Sequence, residues 1–242
     1  MRNLLKDKKL SIHLPKWISL PGGEFFMGYD RGRDDERPVH LVSVDPFDMG
    51  IYTITNREYL SFLNQTNELF PPSIQDPIFS HPNQPVVSVS WENAMSYCRW
   101  LSALTERIYR LPTEAEWEWA SRQMKKEKLY PWGDQDPLKI RLYNEGWQDR
   151  RPQIVGQQPA NSFGLFNVGD NVHEWCADWY ESNYYKISPK NNPVNHTPTG
   201  RKASRGGSWR HQIKVSRCAA RSSLDPSFMY SDYGFRIVKQ II

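Results

Sequence analysis

Cysteine is scarce in this chain. Its 242 residues include three, Cys98, Cys176 and Cys218. An odd number at such wide spacing excludes a disulfide framework and offers no zinc pattern. A reduced, cytoplasmic protein is the simplest expectation. An excess of one charge is lacking too. The 31 basic and 27 acidic residues leave a net +4, too balanced to argue for nucleic acid. The densest basic run, over residues 6–9, reads as part of a solvated terminal arm. Long apolar runs are absent as well. The stretch from Leu10 to Leu20 is interrupted by His13, Pro15 and Lys16. It offers neither the apolar centre of a signal peptide nor a bilayer span, so no membrane partner is expected. Repeats, low-complexity tracts and linkers are missing, which leaves one domain.

Aromatic residues are abundant, at 13% with ten Trp and twelve Tyr. They suit a fold whose loops are pinned by rings with polar tips. Three helix starts stand out. Thr55 with Glu58 forms a capping box ahead of Tyr59, Phe62 and Leu63. Ser90 can cap a longer helix in which Trp91, Ala94, Met95, Cys98 and Leu101 fall at helical spacing. Thr113 with Glu116 forms a second box, continued by Trp117 and Ala120. Residues 39–44 alternate as a strand does, residues 86–89 form a short apolar run, and residues 234–238 read as a strand. From about 124 to 233 there is little periodicity, and tryptophan packing, bound ions or both are expected to fix it. The fold class is therefore α+β, rich in irregular structure.

Three groups of residues suggest a site. Asn167, Asp170 and Glu174 present side-chain oxygens within eight residues, with Gly169 allowing a tight turn. Calcium takes such ligands, although an Asx-turn bonding its own backbone uses the same groups. Cys218 stands seven residues after His211, with Arg210 beside it. It is either a thiol activated by nearby cations or a packed small residue between alanines. Trp132, with Trp209 and Arg210, suits a groove for an extended peptide or flat ligand, or else Trp132 simply anchors a loop. The histidines at 13, 40, 81, 173, 196 and 211 show no metal-ligand spacing.

Read in order, the motifs resemble one family. They include Pro21-Gly22-Gly23-Glu24-Phe25-Phe26-Met27-Gly28, Arg110-Leu111-Pro112-Thr113-Glu114-Ala115-Glu116-Trp117-Glu118, Tyr130-Pro131-Trp132-Gly133, Asn161-Ser162-Phe163-Gly164-Leu165-Phe166-Asn167, Arg205-Gly206-Gly207-Ser208-Trp209, Arg217-Cys218-Ala219-Ala220-Arg221 and Gly234-Phe235-Arg236. The chain resembles the formylglycine-generating enzyme, or sulfatase-modifying factor, family from about residue 17 to 239. The resemblance implies a variant of the C-type lectin fold over 17–242, preceded by an arm over 1–16. It implies a structural calcium held by Asn167, Asp170, Val172 and Glu174, with Asp170 standing where the family motif has glycine. A second family ion site maps near Asn144 and Glu145, although its remaining ligands fall where this chain is shorter.

In the family's aerobic enzymes a cysteine pair holds copper(I) between the Gly-Gly-Ser and Arg-Cys-Ala-Ala-Arg motifs. Here that interval, residues 209–216, contains no cysteine, so copper is not expected. Cys218 matches a later family cysteine, and Ala120 stands at its partner's place. The reading that follows is a catalytically degenerate protein that binds a peptide, a small molecule or a partner protein through Trp132, Trp209, Arg210 and His211. The alternative is an enzyme of non-copper chemistry, such as a maturation oxidoreductase of a biosynthetic pathway, with His211, Arg210 and Ser208 as its catalytic candidates. A true formylglycine-generating oxidase is the third.

Overall fold

Each of the three helix starts is built as a reciprocal cap in the structure, a computed structural model that describes residues 12–124, 128–134 and 150–241. Thr55 opens α1 (Asn56–Leu63). Its hydroxyl accepts from the Glu58 amide at 3.4 Å, and its amide donates to the Glu58 carboxylate at 2.8 Å. Ser90 opens α2 (Trp91–Thr105), where Asn93 returns the bond at 3.1 Å. Thr113 opens α3 (Glu114–Arg122), with Glu116 reaching back at 2.8 Å. Two orphan amides at each helix start are thereby satisfied. All nine residues of α3 are buried, charged ones included.

The strands sort into three sheets. β1 (Trp17–Leu20), β4 (Phe47–Gly50), β10 (Val238–Lys239) and β5 (Tyr109–Arg110) form one antiparallel sheet in the order β1-β4-β10-β5. β2 (Gly23–Met27) pairs with β3 (His40–Val44), the strand expected over residues 39–44. β6 (His173–Trp179), β7 (Lys202–Arg205), β8 (Arg221–Leu224) and β9 (Tyr233–Gly234) form the third, in the order β8-β7-β6-β9. There β9 runs parallel to β6 and the other pairs are antiparallel.

Two expectations need correction. The strand read over 234–238 is split between β9 and β10, in different sheets. Arg236 lies between them, fully buried, and donates to the Gly50, Ile51 and Phe166 carbonyls and to Glu174. The stretch from 124 to 233 is also less irregular than its pattern implies, because it contains β6, β7 and β8. β6 and β7 are buried on both faces or nearly so. A two-sided strand leaves no apolar–polar alternation to detect. On β6, Trp175 enters one hydrophobic cluster with α1 and α2, while Cys176 enters the other with β2, β3 and α3. Tryptophan does fix part of this region. Trp175 Nε1 donates to the Val89 carbonyl at 3.0 Å and Trp91 Nε1 to that of Cys176 at 2.8 Å.

The motif arginines form the frame. Arg221 grips Glu114 through two bonds of 2.9 and 2.8 Å, and Arg217 grips Glu36 through 2.6 and 2.7 Å. Arg205 and Arg122 share Glu118. The cost of burying these three carboxylates is offset by the guanidinium that each meets. In the expected arm over 1–16, the His13 amide donates to Ser61 Oγ at 3.0 Å and the Lys16 carbonyl accepts from Ile51 at 2.9 Å. Among the described residues no helix is long and apolar enough to cross a membrane.

Candidate functional site

A glycine turn helps bring the site together. Gly169 has φ +86°, and a Cβ there would stand 2.7 Å from Pro131 and 3.0 Å from the Ser216 carbonyl. Only glycine tolerates that approach. The Gly169 carbonyl accepts from Gly207 at 2.9 Å, and the Asn171 carbonyl accepts from Trp209 at 2.9 Å. The loop entering β6 is thus stitched to the loop leaving β7. The His173 amide in turn donates to the Asp232 carbonyl at 2.8 Å, where β6 meets the approach to β9. Three segments remote in sequence become one rigid corner.

The candidates Ser208 and His211 meet in this corner. Ser208 Oγ lies 2.6 Å from His211 Nδ1 and donates to Asp232 Oδ2 at 2.9 Å. His211 Nδ1 is also 3.2 Å from Asp232 Oδ2 and 3.2 Å from His173 Nε2. Arg210, half exposed, faces the other carboxylate oxygen of Asp232 at 3.6 Å. Burial pushes the His173 imidazole down to about 4, with His211 adding to the effect. Burial works against ionisation of Asp232, but His211 and Ser208 together hold its carboxyl below the ordinary range. His173 and Asp232 are the residues that sequence reasoning missed. The six histidines show no metal-ligand spacing along the chain, yet the fold brings two of them, His173 and His211, together with a carboxylate. Linear spacing held no signal, since 38 positions separate His173 from His211 and 24 separate Ser208 from Asp232.

The groove residues divide. Trp209 donates from Nε1 to the Ser231 carbonyl at 3.3 Å, lies 6.1 Å from the Phe79 ring and carries Arg210 at 5.8 Å. Trp132 stacks on Tyr130 at 5.0 Å and lines a different cavity of about 410 Å³ with Asn161, Asn167 and Asp170.

The four expected ion ligands lie on one bend. Asn167 and Asn171 adopt left-handed φ of +54° and +67°, while Asp170 does not, so replacing the motif glycine strains nothing there. Asp170 is buried with Oδ1 unpartnered. Burial, with a contribution from Glu174, pushes its carboxyl up to about 7. Asn167 Oδ1 accepts a long bond of 3.3 Å from Gly156, and its Nδ2 has no partner. The Val172 amide donates to the Asp170 carbonyl at 2.8 Å. Glu174 is engaged by Arg236 at 3.1 Å and by Trp117 Nε1 at 2.9 Å. Asn144 and Glu145 lie outside the described residues.

The three cysteines are separate, unpaired and buried. Burial raises each thiol, Cys98 to about 12, Cys218 to about 11 and Cys176 well above its ordinary value. Of the two readings of Cys218, the packed residue holds.

Comparison with known proteins supplies the family. Residues 2–241 match the family described as "Sulfatase-modifying factor enzyme 1-like domain". The chain is 31% identical to the formylglycine-generating enzyme of Streptomyces coelicolor, over 90% of this chain and 87% of that one. It is 32% identical to the serine/threonine-protein kinase pkn1 of Chlamydia caviae over 93% of this chain, but spans only 38% of that protein's length. The structure of PvdO from Pseudomonas aeruginosa superimposes with a TM-score of 0.78 at 26% identity, covering 94% of this chain and 95% of that one.

Proposed function

This chain belongs to the sulfatase-modifying factor family, with its variant of the C-type lectin fold, and we propose that within the family it is a ligand-binding or accessory protein rather than a copper-dependent oxidase. One observation carries the reading: all three thiols are buried in the packed interior, and the interval between the Gly-Gly-Ser and Arg-Cys-Ala-Ala-Arg motifs holds none. Copper(I) is a soft ion that favours thiolates, so the residues at the corner do not fit it. Trp209, Arg210 and His211 instead offer an indole face, a guanidinium and an imidazole to a peptide, a small molecule or a partner protein, with the buried Ser208 hydroxyl behind His211. Three unpaired cysteines suit a reducing, cytoplasmic setting.

Calcium fits the bend beside this corner. Asn167, Asp170, the Val172 carbonyl and Glu174 would hold it, and Asp170 Oδ1 is the buried acceptor left without a partner. The ion would offset the buried carboxylates and fix the bend.

A second reading, an enzyme of non-copper chemistry in a biosynthetic maturation, is favoured by the 2.6 Å contact between Ser208 and His211. It is not a serine-hydrolase relay. Serine and aspartate meet the same imidazole nitrogen, whereas a relay uses opposite ones.

The test is incubation with a cysteine-containing sulfatase peptide, copper(I) and oxygen, followed by mass spectrometry. No formylglycine is expected. Its catalytic formation would sink the proposal.

A further inference from the structure

We propose that His173, His211 and Asp232 form a binding site for one divalent transition-metal ion of the iron(II)–cobalt(II)–zinc(II) class. The site lies in the cleft to which the preceding section assigns ligand binding, and it rests on that reading for its role but not for its existence.

The spacing fits. Metal–nitrogen bonds are about 2.0–2.1 Å, so neighbouring donors around one ion lie roughly 3.0–3.4 Å apart. His211 Nδ1 is 3.2 Å from His173 Nε2 and 3.2 Å from Asp232 Oδ2, and all three donor atoms lie within 4.8 Å of one another. Two imidazoles and a carboxylate suit a divalent ion of intermediate hardness rather than copper(I) or calcium.

Proton counting points the same way. His211 Nδ1 faces Ser208 Oγ, Asp232 Oδ2 and His173 Nε2 at 2.6, 3.2 and 3.2 Å. One ring nitrogen carries at most one proton or one lone pair along its axis. If it bonds Ser208, which itself donates to Asp232, nothing of that nitrogen remains for His173. Three donors converge on a point that a single cation would satisfy.

The supporting groups are arranged as a metal site needs. Asp232 turns Oδ2 toward His211 and Ser208 and Oδ1 toward Arg210 at 3.6 Å, so a second lone pair of Oδ2 can face the ion while the guanidinium pairs with the other oxygen. His173 is stacked on Tyr233 at 4.8 Å, and backbone bonds tie together the segments bearing all three donors. His173 and Asp232 are buried, while the His211 side chain is 41% exposed. Coordination positions not filled by protein would therefore face the solvent side, where Arg210 could meet an anionic co-ligand.

Cobalt(II) is the probe. The chelator-stripped protein, with calcium added to occupy oxygen-donor sites, is titrated with cobalt(II) and followed by its visible d–d absorption. A band saturating at one equivalent and displaced by zinc(II) is expected. His211→Ala, at a half-exposed position, keeps its melting temperature without metal and weakens cobalt binding by about a hundredfold or more. Asp232→Asn lowers the affinity in the same direction, and the control His196→Ala leaves the band unchanged. No band in the wild type, or a band of equal affinity in His211→Ala, overturns the proposal. Neither result bears on formylglycine formation, so the two proposals fail separately.

Discussion

His173 Nε2 and His211 Nδ1 stand 3.2 Å apart although 38 positions separate them in the chain. Their rings meet edge to face at 4.7 Å, with Tyr233 stacked behind the buried one. The contact exists because the loop entering β6 is hydrogen-bonded to the loop leaving β7. The candidate site is therefore assembled from strand ends as well as from the short segment that carries Ser208, Arg210 and His211.

Thiol accessibility follows from the packing. Burial keeps all three cysteines protonated and out of reach. In the native protein an aromatic disulfide reagent should titrate no thiol rapidly at pH 8. In denaturant it should titrate all three. A fast native thiol would overturn this packing.

Calcium should raise the melting temperature, and a chelator should lower it by mass action. Asp170→Asn should abolish most of that response. Without calcium the variant should be no less stable than the wild type, because it removes a buried carboxylate with an unpartnered oxygen. Scanning calorimetry with and without the ion reads both effects. An unchanged calcium response in the variant would move the ion elsewhere.

Arg236 and Glu174 form a buried pair, both fully enclosed. Removing the guanidinium in Arg236→Met strands a carboxylate and three backbone carbonyls. A loss of about 3–5 kcal/mol in urea unfolding is expected. Combining it with Glu174→Gln should cost less than the sum of the single changes, since the stranded charge is then gone.

Asp178 supplies a pH dependence. Burial, reinforced by Glu114, pushes its carboxyl from 3.8 up to about 7. Between those values the folded state binds a proton that the unfolded chain has released. The contribution of this group to stability is thus retained at low pH and lost as pH rises through about 7. Wild type minus Asp178→Asn should differ by a few kcal/mol at most between pH 5 and pH 8, with the wild type relatively weaker at pH 8. Urea unfolding at the two pH values measures the difference. A constant difference would mean that Asp178 is already ionised in the fold at pH 5.

The helices were legible because their signals are local. Thr55 with Glu58 and Thr113 with Glu116 specify their caps within four residues. The strand β3 was legible through its alternation. β6 and β7 were not, because both faces of β6 are packed, Trp175 into one cluster and Cys176 into the other. Ser208, Arg210 and His211 were found through their motif. Their partner Asp232 was not, since it looks like any turn aspartate until the backbone bond from His173 places it.

The sequence by itself determined the family, the helix caps and the lack of a thiol pair, because each is a matter of residue identity at short range. Only the tertiary structure decided that the motif arginines are frame and that two histidines and an aspartate converge. Those pairings join positions far apart in the chain, and burial, which makes an enclosed charge costly unless it finds a partner, is a property of the packed interior alone.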